Sequence, residues 1–395
     1  MIRESGRVAG VQAPVIPIIG RWIAETPGTI TLGQGVVSFG PPPEALEAAR
    51  RFGGAPDDHL YGPVEGLPEL VDAIERKLRA DNGITVRPDS RVVVTAGGNL
   101  AFMNAMLAVT DPGDEVILPS PYYFNHEMAV ALAGARTVAV PVRPDTQLDL
   151  DAIAAAITPR TRAIVTVSPN NPTGAVYPEA DLRAVNALCE RHGVWHVHDE
   201  AYEYFVYAGA TRFSPGAIPG AARHTISLYS LSKSFGMASW RVGYQVIPET
   251  LWEAVNKVQD TMLICAPAVS QQAALAAIAR GAAWPRAHLP ALEATRREVA
   301  AALAPVADVL EAPVPGGAFF FFVRLRDGRD RGRTIEPLAL AERLIRQHRV
   351  AVIPGSAFGT PGPAWRLSFG ALPPDRAVEG ATRLARGIRA LLDES

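Results

Sequence analysis

The sequence predicts an α/β protein: a larger unit built on a mostly parallel sheet of seven strands covered by helices, and a smaller α+β unit. Three observations carry this expectation. Between about residues 90 and 250, short β-rich runs alternate with helix-like runs, the pattern of a largely parallel sheet with helices on both faces. After about residue 285 the texture changes to a long Ala/Leu-rich helical pattern followed by isolated apolar runs. Polar or glycine-rich elements also recur directly after the strand candidates, at the carboxyl edge where an open α/β sheet binds its ligands.

The strand candidates are Arg91–Thr95, Glu115–Leu118, Arg136–Val140, Ala163–Val167, Val194–His198, Thr225–Tyr229 and Val242–Ile247. Amphipathic stretches such as Glu179–His192 lie between them. Upstream, "GLPELVDAIERKL" places Leu67, Leu70, Val71, Ile74 and Leu78 on one helical stripe. Downstream, "GGAFFFFVRL", a helix, "VAVIPGSAFG", "WRLSFG" and a final helix make up the smaller unit. No repeats and no low-complexity tract interrupt this order.

A chain of 395 residues with 48% hydrophobic and 20% charged residues can bury two sizeable cores. Its formal net charge of −2 points away from nucleic acid and acidic membranes as partners. Cys189 and Cys265 each read as helix-like and apolar and form no CxxC pair, which fits a reducing compartment. "MIRESGRVAGVQAPVIPIIG" has no long apolar run, so neither a signal peptide nor a membrane span is expected, and the location expected is cytoplasmic.

Of 38 basic residues only three are lysines: Lys77, Lys233 and Lys257. A chain so biased toward arginine keeps a lysine where arginine will not serve. Lys77 and Lys257 sit among charged neighbours and read as surface residues. Lys233 sits in the Ser-rich turn "SLSK" between apolar runs. A lysine amine can form an imine and arginine cannot. The carbonyl partner would be a cofactor, for which pyridoxal phosphate is the common choice, with an acidic residue on its ring nitrogen. Asp199, at the end of a buried strand, fits that role, although an aspartate there also fits a helix cap. Tyr123 could stack on the ring, and Tyr202 and Asn171 could donate to its phenolic oxygen. Gly97, Gly98 and Asn99 open a helix pattern suited to a phosphate, and Ser230, Ser232 and Arg241 could complete that anion site. His196 and His198 alternate on a strand and, with no obvious third ligand, read as packed residues; no metal is expected.

These pieces resemble the signature of class I/II aminotransferases, pyridoxal-phosphate enzymes of fold type I in the aspartate-aminotransferase superfamily. Arg241 follows Lys233 by eight residues in "SLSKSFGMASWRVG". "LGQG", "YGPVEG", "DPGDEV", "SPNNPTG", "DEAY", "PGSAFG" and "WRLSF" occur in the family's order over nearly the whole chain. The resemblance implies that Arg366 binds a substrate α-carboxylate, assisted by Asn171 and the backbone of Gly35. It implies that Tyr61 reaches the phosphate of a second subunit, hence a homodimer with shared sites. His126 stands where some members carry a histidine bonded to the ring-binding aspartate, and it equally fits a helix histidine with no such partner. The domains expected are an N-terminal arm and part of the small domain at 1–48, a large cofactor-binding domain at 49–288 and a small domain at 289–395.

The activity implied is amino transfer from an L-α-amino acid to a 2-oxo acid, with Lys233, Asp199 and Tyr202 as the catalytic set. The same scaffold supports elimination, γ-substitution or cyclisation, and oxidation. A regulator built on this fold carries an added DNA-binding module, and only about thirty residues precede "LGQG". Asn99 stands where some aspartate-using relatives have a lysine, and the apolar "VQAPVIPIIG" favours an aromatic or aliphatic substrate side chain.

Overall fold

Two helices open the described chain, Gly6–Ala9 (α1) and Val15–Glu25 (α2). Pro17 sits in the first turn of α2, where backbone N–H groups have no intrahelical partner, so the proline that breaks the apolar run in sequence does not break the helix. The computed structural model describes residues 4–86, 88–326, 329–330 and 333–393. Next come Ile30–Thr31 (β1), Pro43–Arg51 (α3) and Pro68–Lys77 (α4). The last two start on proline, as the stripe from Leu70 to Leu78 requires of a helix entered sharply.

Seven strands then form one sheet: Ser90–Thr95 (β2), Glu115–Ser120 (β3), Arg136–Pro141 (β4), Thr161–Val167 (β5), Trp195–Asp199 (β6), Thr225–Ser230 (β7) and Gly243–Pro248 (β8). Their order is β2-β8-β7-β6-β5-β3-β4. Only β8 runs against its neighbours; the pairs β7–β6, β6–β5, β5–β3 and β3–β4 are parallel. Each predicted strand is found, displaced by no more than two residues at either end.

Helices Gly98–Val109 (α5), Phe124–Leu132 (α6), Leu150–Ala155 (α7), Glu179–His192 (α8), Leu231–Ser234 (α9), Trp252–Met262 (α10) and Ala268–Ala279 (α11) connect and flank these strands. Alternate strand residues enter different cores. Val93, Val116 and Leu118 pack in one, Val92 and Val94 in a second, and Ile117 and Ile164 in a third. Coverage on both faces is why the strands read as nearly continuous apolar runs.

The chain continues through Ala283–Ala287 (α12), Leu289–Leu303 (α13), Leu310–Glu311 (β9), Phe320–Leu325 (β10), Arg329–Asp330 (β11), Arg333–Thr334 (β12), Pro337–His348 (α14), Val350–Ala351 (β13), Ile353–Pro354 (β14), Ala364–Ser368 (β15) and Pro374–Asp393 (α15). A four-stranded antiparallel sheet has the order β14-β15-β10-β9. β1 pairs in parallel with β13 through Ile30 and Val350. Ile30 and Leu32 join the same core as Leu303, Phe321, Trp365 and Leu384. The N-terminal segment is thus built into the C-terminal part.

Two expectations are corrected. Lys77 is not a surface residue: its side chain is 6% exposed and bonded to Glu203. Cys265 lies in the turn between α10 and α11, not in a helix. Lys257, by contrast, is exposed and pairs with Glu253 one turn away, as a surface lysine should.

Candidate active site

The carboxyl ends of β2, β5, β6 and β7 share one edge. Register fixes this: Val167 stands beside Asp199, Asp199 beside Leu228, and Thr95 and Ser230 both beside Gly243. The edge opens into a cavity of about 260 Å³ lined by Gly35, Tyr123, Asn171, Tyr202, Lys233 and Arg366 together with apolar residues from α2. Six of the predicted residues therefore meet in one space, although up to 331 positions separate them in the chain, from Gly35 to Arg366.

Lys233 sits on α9, a single turn capped by the Ser230 hydroxyl, which accepts from the Ser232 N–H at 3.2 Å. Its amine makes no hydrogen bond or ion pair among the described residues. Part of its surface meets the cavity, but protein atoms enclose the amine, and that burial pulls its pKa down to about 8; Arg241 and Arg366 push the same way, and Asp199 opposes them.

Asp199 is held from two sides. His126 Nε2 on α6 stands 3.1 Å from Oδ2, and the Ala201 N–H donates to Oδ1 at 2.9 Å. The His126 ring is itself buried against Phe102, with centroids 3.9 Å apart. The contact left open by the sequence is therefore present. The Tyr123 ring meets His126 edge-on, and its hydroxyl accepts from the Asn125 amide at 2.8 Å and lies 3.4 Å from Asn99 Oδ1. Burial raises the pKa of Tyr123, with Asp199 adding to it, and burial raises that of Tyr202 further.

Asn171 bridges the two sheets. Its amide donates to the Tyr202 hydroxyl at 3.1 Å, and its carbonyl accepts from Arg366 at 2.9 Å. Arg366 lies on β15, wholly buried between the rings of Phe320 and Phe358, at 4.7 and 5.1 Å. Its second terminal nitrogen donates to the Gly33 carbonyl at 2.6 Å, and its Nε has no partner among the described residues. Among the described residues no carboxylate pairs with it, and burial lowers its pKa to about 10. Gly33 and Gly35 both line the cavity, and Gly35 lies beside the guanidinium.

A separate polar cradle borders the cavity. Gly97 caps α5 with φ +82°, and a Cβ there would overlap the Arg241 guanidinium. Arg241 donates to the carbonyls of Ala238 at 2.9 Å and Ala96 at 3.4 Å, and it has φ +52°. A left-handed conformation costs a non-glycine residue on the order of 1 kcal/mol and clusters at functional sites. Gly98 lies against Ser230, and α5 turns its unpaired N-terminal N–H groups, those of Gly98 and Asn99 included, toward this corner.

Tyr61 is outside the cavity lining and 81% exposed, beside Leu60 at 65%. His196 and His198 are buried, and the Thr166 hydroxyl lies 2.8 and 2.6 Å from their ring nitrogens. Burial holds both pKa values below the usual histidine range, so both rings are neutral. Sequence reasoning did not find Ile16, Ile19, Ile23, Phe124 or Ile353, which form the apolar wall of the cavity. Only the apolar character of the α2 segment hinted at them.

At the carboxyl edge of this sheet one cavity therefore holds a lysine amine without a partner and an arginine without a carboxylate among the described residues. A family model for aminotransferase class I and II matches residues 27–384, and the chain belongs to that family. It is an aminotransferase, moving an amino group between an amino acid and a 2-oxo acid. An aromatic aminotransferase from Arabidopsis thaliana is 36% identical over 98% of this chain and 97% of its own length. An aspartate/prephenate aminotransferase from Thermus thermophilus is 36% identical over 86% of each chain. The solved structure of the Thermus thermophilus aspartate aminotransferase with maleate superposes with a TM-score of 0.88 at 33% identity, covering 98% of this chain and all of that one. Among the described residues no helix is long and apolar enough to cross a membrane.

Proposed function

We propose that the chain uses pyridoxal 5'-phosphate to transfer the amino group of an L-α-amino acid whose side chain is apolar or aromatic. One observation carries this: an amine without a partner and a buried guanidinium without a carboxylate, among the described residues, share one cavity. A buried cation left unpaired is costly, so a fold keeps one where a ligand completes it.

The donor set fits the cofactor. Lys233 would hold its aldehyde, Asp199 its ring nitrogen and Tyr123 a face of its ring. Tyr202 and Asn171 would meet its phenolic oxygen. Gly97, Gly98, Asn99, Ser230, Ser232 and Arg241 would hold the phosphate, with Tyr61 acting across a homodimer interface. When bound, the cofactor supplies an electron sink for the pair left at the substrate Cα. The chain's own residues do the rest. Arg366 and Asn171 orient the α-carboxylate so that the Cα–H bond faces Lys233. Lys233 Nζ, with its pKa brought near neutrality, takes that proton and returns it. His126 and the Ala201 N–H keep the Asp199 carboxylate aimed.

The wall formed by Ile16, Ile19, Ile23, Phe124 and Ile353 sets the side-chain preference. Among the described residues the cations lining the cavity are Lys233 and Arg366, and both already have roles at the α-carbon and α-carboxylate. In keeping with this, we assign residues 1–48 and 289–395 to a small domain with its arm, and 49–288 to a large one. Two unbridged cysteines suit the cytoplasm.

A half-reaction screen tests this. The cofactor-loaded protein is mixed with each amino acid in turn, and its absorbance is followed toward the amine form. Phenylalanine, tyrosine or leucine should react at least about tenfold faster than aspartate, the scale on which apolar pockets discriminate. Aspartate as the fastest donor would refute the side-chain assignment, and no spectral change with any amino acid would refute the chemistry.

A further inference from the structure

Residues 199–204, "DEAYEY", divide between two destinations. Asp199 and Tyr202 belong to the active site. Glu200 and Glu203 belong to a second polar cluster that shares no residue with the cavity lining. Lys77, at the end of α4, donates to both oxygens of Glu203, at 2.5 and 2.6 Å, and to Asn82 Oδ1 at 2.9 Å. Its ammonium lies 4.8 Å from the ring centre of Tyr229. The Asn82 amide donates on to Glu203 at 3.0 Å and to Glu200 at 3.1 Å. Glu200 also accepts from the Ser214 hydroxyl at 2.6 Å and the Tyr229 hydroxyl at 2.7 Å. Arg212 completes the neutralisation of Glu203 at 3.0 Å.

Stability alone is a weak reason for such a cluster. Taking charges out of water costs several kcal/mol per ion, and apolar residues of the same volume often serve as well. What a satisfied network does supply is direction, because each donor accepts only one placement of its acceptor. The elements joined here are α4, the turn after β6 and the end of β7. Tyr229 immediately precedes Ser230 and lies four residues before Lys233, and Glu200 immediately follows Asp199.

We propose that Lys77 and Glu203 are positioning residues for the transfer reaction. They clamp the turn after β6 and, through Glu200, the end of β7, so that Asp199, Tyr202 and Lys233 keep their mutual placement. Neither touches the cavity, so neither is catalytic. The inference rests on the assignment of Lys233 and Asp199 to the chemistry.

The test uses the cofactor-loaded protein and the variants Lys77→Met, Glu203→Gln and the double variant. Four quantities are read: kcat and KM, thermal midpoint, amide exchange across 199–204, and borohydride labelling of Lys233. Each single variant should lose at least about tenfold in kcat with KM changed by less than about threefold, the split expected when substrate binding is spared. Amide exchange should quicken in the turn and stay unchanged in α8. The double variant, which removes both charges of this pair and leaves Arg212 without Glu203, should regain part of the thermal midpoint over the single variants without regaining kcat. Recovery of kcat along with the midpoint would overturn the proposal, as would single variants with wild-type kcat and wild-type exchange. Should the single variants not fold, the double variant decides alone. A wild-type protein unlabelled at Lys233 would refute the chemistry itself; labelled protein with kcat unaltered in every variant would refute only the positioning role.

Discussion

Lys233 and Lys77 are both surrounded by protein, and their surroundings are opposite. Lys77 has three acceptor atoms on its ammonium and an aromatic ring beside it. Lys233 has none, and the nearest strong charges besides Asp199 are two guanidinium groups that repel its proton. The first environment fixes a cation in place. The second makes a neutral amine available near pH 8. Enclosure is common to both, so it is the missing counter-ion, not burial, that separates a candidate nucleophile from a structural charge.

The comparison breaks most visibly under alanine. Lys233→Ala should lower turnover by more than about 10⁴-fold, since it removes both the covalent anchor and the proton carrier, while the fold remains. Borohydride should fix the cofactor to the wild type and not to this variant. Label recovered on a peptide lacking Lys233 would end the assignment.

Adjacent residues sharpen it. Asp199 faces the site and Glu200 faces the Lys77 cluster. Asp199→Asn should cost about 10³-fold in kcat, or about 4 kcal/mol, because an amide cannot hold a ring nitrogen protonated. Retained activity within about tenfold would reduce Asp199 to a cap. Lys77→Met should also be read in stability: breaking a buried pair from one side costs about 3–5 kcal/mol. A denaturation midpoint unchanged from wild type would show that Glu203 does not need its partner.

Much of this geometry was legible before any coordinates. Strand ends were found because the apolar runs stop at Pro, Ser or Asp, as at Pro119, Ser168, Asp199 and Ser230, and ligand-binding residues follow strand ends in an open α/β sheet. Lys233 stood out through composition alone. Lys77 did not, because its local window holds Glu75, Arg76 and Arg79, while its partner Glu203 is 126 positions away. Pairing at that range has no local signature. The isoleucine wall of α2 was hidden by Pro14 and Pro17, which suggest a break although both sit where a helix start tolerates them. His126 was undecidable for a related reason: its role depends on how α6 packs against the end of β6.

Arg366 is the second unpaired cation, and its removal should be smaller in effect. A bidentate bond to a carboxylate contributes roughly 1.5–3 kcal/mol, so Arg366→Ala should weaken amino-acid binding between about tenfold and somewhat over a hundredfold. Cofactor binding should hardly change, because the cradle at Gly97, Ser230 and Arg241, which we propose holds the phosphate, is separate. Arg366→Lys should recover only part of the loss, as it keeps the charge without the planar fork. Wild-type handling of α-amino acids by the alanine variant would move the substrate to an amine lacking an α-carboxylate.

The gentlest test follows the proton on Lys233 in protein stripped of cofactor. In the folded chain the amine titrates near 8, against 10.5 for an ordinary lysine. Between these values the unfolded chain binds more protons than the folded one, so stability must rise with pH across the window. Below about 8 both states are protonated and the burial penalty is fully felt; above 10.5 it has gone. The slope from this one group is at most about 1.4 kcal/mol per pH unit. Lys233→Met has no proton to lose there. Its stability advantage over the wild type should therefore be largest at neutral pH and shrink steadily toward pH 10.5, a trend that denaturant midpoints at half-unit steps would resolve. A difference independent of pH from 7 to 10.5 would mean that the amine is paired in solution, and Lys233 would then belong with Lys77.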